Sequence, residues 1–203
     1  MKIKLHILCI PLILVMLING QIATYMIILS SLLWHEMGHL VMAVLCHIKV
    51  KSCTIAPYGG EIEFAHPATV QPSALLWIAL GGPMATIVGI GLSLLLPELL
   101  ANALVKTQLI LLCMNICPLI PLDGGRIVLA SLYIYCPSTQ VIDYYYGASL
   151  VMATCLLLGV ISFLPHVLFL IVVCLFIWLQ AWKEWRYRKY RLAFEKYAMK
   201  RLT

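Results

Sequence analysis

Charge is what this sequence has least of. Only 11% of its 203 residues are Asp, Glu, Lys or Arg, and just 8 are acidic, against about 25% charged in soluble domains. Hydrophobic residues make up 63% and the mean hydropathy is +1.00. A chain so poor in charge cannot dress its exterior for water, so most of that exterior faces lipid. The same shortage excludes a disordered chain. C-x-x-C pairs are missing too. The eight Cys, at 9, 46, 53, 113, 117, 136, 155 and 174, lie mostly inside apolar runs, which argues against a Cys-built zinc site and a disulfide-stapled secreted domain. A net charge of +6 would suit nucleic acid if it were spread over a surface, but eight of the 14 Lys and Arg fall between Lys183 and Arg201. There they read as a membrane anchor, and no nucleic-acid partner is expected.

A helical span takes about 20 apolar residues, and six segments approach that: about 5–17, 22–46, 73–96, 104–135, 147–163 and 166–182. Pro72, Pro97, Pro137 and the Leu164-Pro165 step separate several of them. The expected fold is therefore an all-α polytopic membrane protein of about six transmembrane helices: a membrane domain over 1–182 and a basic cytosolic tail over 183–203. With the N-terminus in the cytosol, Lys2, Lys4, Lys49, Lys51 and the tail put 12 of the 14 Lys and Arg inside, Lys106 outside and Arg126 within the fourth span. That distribution predicts both termini in the cytosol. A competing reading takes Met1–Gly20 as a signal peptide, which would remove the first span without turning the others over. Between the second and third spans, Ile48, Val50, Cys53 and Ile55, then Ile62 and Phe64, flank Pro57-Tyr58-Gly59-Gly60. This predicts a cytosolic β-hairpin over 48–64.

Two acidic residues, Glu36 and Asp123, sit where lipid makes them costly, and ionisable groups at that depth are functional suspects. Glu36 belongs to His35-Glu36-Met37-Gly38-His39 on the second span. Histidines at i and i+4 project from one helix face and can reach one ion, while the flanking Glu can take a proton from a water held there. Zinc suits such nitrogen ligands, and a catalytic site adds a third protein ligand and leaves one position open. Asp123 is the candidate for that ligand, with His66 the alternative. Its surroundings, Asn115-Ile-Cys-Pro118-Leu-Ile-Pro121-Leu-Asp123-Gly124-Gly125-Arg126, predict a span broken near 115–123. Cys46 is seven residues past His39, so the histidines lie about 10 Å below the cytosolic surface, and the apolar stretch 127–133 sets Asp123 at similar depth. Other readings stay open. Asp123 could merely pair with Arg126, Asn115 could cap the broken helix or bind an oxyanion, and Gly82-Pro83 suits close packing or a kink. Trp182, Trp185, Tyr187 and Tyr190, interleaved with Lys and Arg, suit an interfacial belt or a partner-docking tail.

H-E-M-G-H on one span with N-I-C-P-L-I-P-L-D-G-G on a later one resembles the site-2 protease family of intramembrane zinc metalloproteases. A-P-Y-G-G-E-I-E-F at 56–64 and G-G-P at 81–83 resemble that family's sporulation branch. The resemblance implies Zn2+ as cofactor, His35, His39 and Asp123 as ligands, and Glu36 as general acid/base. It places Asn115 and Pro118 along the substrate gap. It also implies residence in a bacterial cell membrane and a membrane-tethered protein substrate, for that branch a sporulation sigma-factor precursor. Membrane-bound inhibitory or regulatory proteins would be further partners. An extended substrate could add as a strand to the hairpin at Gly59, Gly60, Glu61 and Ile62. Many members of that branch carry a nucleotide-sensing CBS domain after the spans, and this sequence stops at Thr203, so nucleotide regulation is left out of the expectation. The other class to weigh is a zinc transporter or scaffold that never cleaves, which would have no use for Glu36.

Overall fold

The computed structural model describes residues 2–5, 22–56, 59–64, 70–162 and 168–202. In chain order these form β1 (Lys2–Leu5), α1 (Ile22–Leu45), β2 (Val50–Ala56), β3 (Gly59–Phe64), α2 (Pro72–Ser93), α3 (Glu98–Ile116), α4 (Asp123–Tyr135), α5 (Thr139–Ile161) and α6 (Leu168–Leu202). Four of them, α1, α2, α3 and α5, are long and apolar enough to cross a membrane. Their outward faces carry large apolar side chains such as Val44, Leu92, Leu99 and Leu158, as lipid contact requires.

The chain divides into two compact units, Met1–Val70 with Trp77–Asn115, and Gln71–Leu76 with Ile116–Thr203. In the first, a three-stranded sheet has the order β1-β2-β3. β2 and β3 are antiparallel, with Cys53 opposite Ile62 and Thr54 opposite Glu61, and an irregularity falls between Val50 and Ser52. β1 lies parallel to β2, Leu5 opposite Ile55. Lys2–Leu5 is a strand that the sequence reading did not include, so the sheet has three strands where that reading had two. The rest of the expected first span, the turn residues Pro57 and Tyr58, and His66 fall outside the described residues.

α1 ends in a tight reversal that the sequence did not announce. The His47 amide donates to Val44 O and the Ile48 amide to Ala43 O, both at 2.9 Å, and His47 takes the left-handed backbone at φ 57°. This is a Schellman stop with histidine where glycine usually sits. In the same unit α1 packs on the second half of α2 at glycine. A Cβ built on Gly38 would overlap Gly81 O, and one on Gly81 would lie 2.5 Å from Gly38 O. The Trp34 indole donates to Ala85 O at 2.6 Å one turn away.

The second unit packs α4, α5 and α6 around two small cores. Leu119, Ala153 and Ala181 meet Trp178 in one, and Ile120, Ile142 and Tyr146 meet Trp185 in the other. Arg188 closes its α6 end, donating to Asp143 at 2.5 Å and lying 4.2 Å over the Trp185 ring. α6 runs 35 residues without interruption, so the expected boundary between a sixth span and a tail at 182/183 is not an element boundary. Lys, Arg, Leu and Met are strong helix formers, and a change from apolar to basic composition does not end a helix. The expected fourth span is two helices, α3 and the 13-residue α4, with 117–122 non-helical between them.

Candidate metal centre

α1 turns one face inward. His35, Glu36 and His39 are 2%, 5% and 4% exposed, whereas Met37 between them is 54% exposed. The alternation follows from the helical period, which stacks i and i+4 on one side. Contact between the α1 and α2 backbones at Gly38 and Gly81 lets α2 reach both rings. His39 Nδ1 stands 2.7 Å from Ile78 O. A carbonyl only accepts, so the ring proton is on Nδ1 and Nε2 carries the lone pair; the Gly82 amide, at 3.3 Å, is the weaker neighbour. His35 Nδ1 lies 2.8 Å from Thr86 Oγ1. The rings meet edge to face at 82°, their centroids 4.9 Å apart, and the two Nε2 atoms are 3.3 Å apart. Gly82 forms the floor beneath them: a Cβ there would lie 2.6 Å from His35 Nε2 and overlap His39 Nε2.

Asp123 is the first residue of α4 and 5% exposed. Its place is set by the preceding non-helical stretch, which contains a cis Ile120-Pro121 peptide. The Ile120 amide donates to the Ser149 hydroxyl at 2.8 Å, and Ser149 is fully buried. Tyr145 Oη donates to Pro118 O and Gly125 O at 3.1 and 3.2 Å. Gly124 and Gly125 are needed for a separate reason. A Cβ on Gly124 would overlap Ile116 O, and one on Gly125 would overlap Leu119 O, so only glycine lets α4 begin tucked against the turn. A carboxylate at that helix start is favoured by the helix dipole.

His35 and His39 in the first unit and Asp123 in the second are all buried. Two nitrogens bound to one tetrahedral zinc at about 2.0–2.1 Å stand roughly 3.3 Å apart, the separation of the two Nε2 atoms here. Two imidazole nitrogens and a carboxylate oxygen are a zinc donor set, and the residues fit that ion. Asn115 is half-buried and donates to Leu111 O of its own helix at 3.1 Å. Pro118 is exposed. Gly59, Gly60, Glu61 and Ile62 lie along β3 opposite Ala56, Ile55, Thr54 and Cys53. Arg126 is exposed.

Residues that sequence reasoning did not assign to the site do much of the positioning: Ile78, Thr86 and Gly82, which was read only as a packing or kink position, under the histidines, and Ser149 and Tyr145 around the turn. The signal for two of them was present, since Gly82 and Thr86 are small or polar residues four apart in an apolar run.

Residues 23–102 match the sequence profile of peptidase family M50. The chain is 25% identical over 192 residues to stage IV sporulation protein FB of Bacillus subtilis, covering 89% of this chain and 66% of that protein. It is 27% identical over 175 residues to a zinc metalloprotease of Methanocaldococcus jannaschii, covering 80% of this chain and 49% of the other. It thus spans about two thirds of one of these curated relatives and half of the other. The solved site-2 protease from Methanocaldococcus jannaschii superposes with a TM-score of 0.67 at 27% identity, covering 90% of each chain. The apolar helices, the H-E-x-x-H face, the zinc donor set and these similarities converge: over residues 23–102 the chain matches the profile of peptidase family M50, and in sequence and fold it is similar to the site-2 zinc metalloproteases.

Proposed function

We propose that the protein is an intramembrane zinc metalloprotease that hydrolyses a peptide bond of a membrane-associated protein near the cytosolic face. One observation carries the reading: within an apolar helix, two buried imidazoles present their Nε2 atoms to each other at 3.3 Å with an acidic residue between them in sequence. Lipid gives no reason to keep such a group unless it does chemistry. In this reading His35, His39 and Asp123 hold the ion and Glu36 is the general acid/base.

Bound zinc would supply Lewis acidity toward a water and toward the scissile carbonyl. Glu36 accepts a proton from the attacking water and returns it to the departing amine, so bond cleavage balances as water in, carboxylic acid and amine out. Burial of Glu36 keeps bulk water from competing for that proton. Asn115 and Pro118 line the approach, and the Asn115 amide is the further donor available to an oxyanion.

A helical peptide bond is shielded by its own hydrogen bonds, so the substrate has to be extended before attack. β2 lies between β1 and β3, which leaves β3 a sheet edge among the described residues. We assign Gly59, Gly60, Glu61 and Ile62 on that edge to the substrate as an added strand. The bias of Lys and Arg supports cytosolic termini. Resemblance to stage IV sporulation protein FB makes a sporulation sigma-factor precursor the candidate substrate, with membrane-bound regulators as further partners. The test is cleavage of such a precursor by purified protein beside Glu36→Gln, with metal analysis of both. The wild type should cleave and the variant should hold zinc without cleaving. Cleavage by Glu36→Gln, or zinc uptake into vesicles without any cleavage, would overturn the reading.

A further inference from the structure

We propose that Thr86 is a positioning residue for the metal: its hydroxyl fixes His35 in the Nδ1–H form and so keeps Nε2 open to the ion. The inference deepens the zinc reading above and rests on it. Thr86 is 1% exposed and makes two contacts, to Gly82 O at 3.0 Å and to His35 Nδ1 at 2.8 Å. A hydroxyl has one proton, and Gly82 O only accepts, so that proton is committed to the carbonyl. The Thr86 oxygen must then accept from His35, which puts the ring proton on Nδ1. The opposite arrangement would set two acceptors, Gly82 O and Thr86 Oγ1, against each other at 3.0 Å in a buried site. Ile78 O imposes the same tautomer on His39.

The consequence is that the two Nε2 atoms, 3.3 Å apart, carry lone pairs and not ring protons, the form in which an imidazole nitrogen binds zinc. Threonine in an apolar helix commonly bonds the carbonyl four residues back to satisfy itself. That role explains the contact to Gly82 but not the second one, where the spare lone pair meets a ligand ring. A purely structural Thr86 predicts that valine, of equal shape, binds zinc as well as threonine. A positioning Thr86 predicts that valine does not and serine does, because outer ligands of metal-bound histidines govern affinity by about 10–100-fold.

The experiment measures zinc affinity by chelator competition for full-length wild type, Thr86→Val and Thr86→Ser in detergent. It adds 15N spectra of the histidine rings in metal-free wild type. Expected are a 10–100-fold weaker zinc affinity for Thr86→Val, near wild-type affinity for Thr86→Ser, and a His35 ring protonated at Nδ1. Equal affinities for valine and threonine would overturn the proposal. If Thr86→Val does not fold, the wild-type spectrum decides, and a His35 proton on Nε2 overturns it. Tight zinc binding by a wild type that cleaves no precursor would sink the protease reading while leaving this inference standing.

Discussion

Replacing Gly82 by alanine tests the metal centre with a single methyl group. In a helix interior this change is normally favourable by about 1 kcal/mol, so α2 itself should gain. The cost falls on what lies opposite. The new Cβ would stand 2.6 Å from His35 Nε2 and closer still to His39 Nε2, whereas unstrained heavy-atom contacts need about 3.5 Å. Relief requires moving the His35 ring by roughly 0.9 Å and the His39 ring by more, several times the tolerance of about 0.2 Å on metal–ligand distances. The rings have little freedom to yield, since Ile78 O and Thr86 Oγ1 hold their far sides. Gly82→Ala should therefore keep the helical circular dichroism of the wild type and lose zinc, with cleavage reduced by at least about 100-fold. Metal analysis of the purified variant is the direct assay. One zinc per chain with wild-type turnover would show that Gly82 does not floor a metal site and that the convergence of the two Nε2 atoms is incidental.

Other perturbations follow from the same geometry. Ser149→Ala strands the buried Ile120 amide and should cost about 1–3 kcal/mol, read as a lower thermal midpoint in detergent with weakened zinc retention. His47→Gly removes a side chain from a left-handed position and should raise stability by about 1 kcal/mol without altering turnover; a fall in the thermal midpoint would contradict the Schellman assignment. Gly38→Ala forces α1 and α2 apart and should destabilise the protein and lower its zinc content together. Chelation should abolish cleavage and added zinc restore it, whereas loss that zinc cannot reverse would argue against a resident ion.

The candidate ligands and base were easier to pick out in the sequence than the residues that surround them. His35, Glu36, His39 and Asp123 announce themselves because polar groups are rare in lipid-facing helices and their presence there demands a reason. The break before Asp123 was legible for the same kind of reason, with Pro118, Pro121, Gly124 and Gly125 crowded into eight residues. Ile78, Thr86 and Ser149 were not legible. In helices apolar on every side, periodicity does not tell which face turns inward, and a backbone carbonyl such as that of Ile78 leaves no mark in a sequence. Pairing of Lys2–Leu5 with β2 is a long-range contact between residues fifty apart in the chain, and four residues are too few to show alternation. His47 occupies a position that glycine ordinarily signals.

The meeting of Gly38 with Gly81 also constrains motion. Two backbones in direct contact, with no side chain to act as a bearing, cannot rotate or slide against each other without first separating. The two histidines sit on one of these helices, and the groups that orient them, Ile78, Gly82 and Thr86, sit on the other. Any movement in this unit must therefore carry the helix pair as one piece.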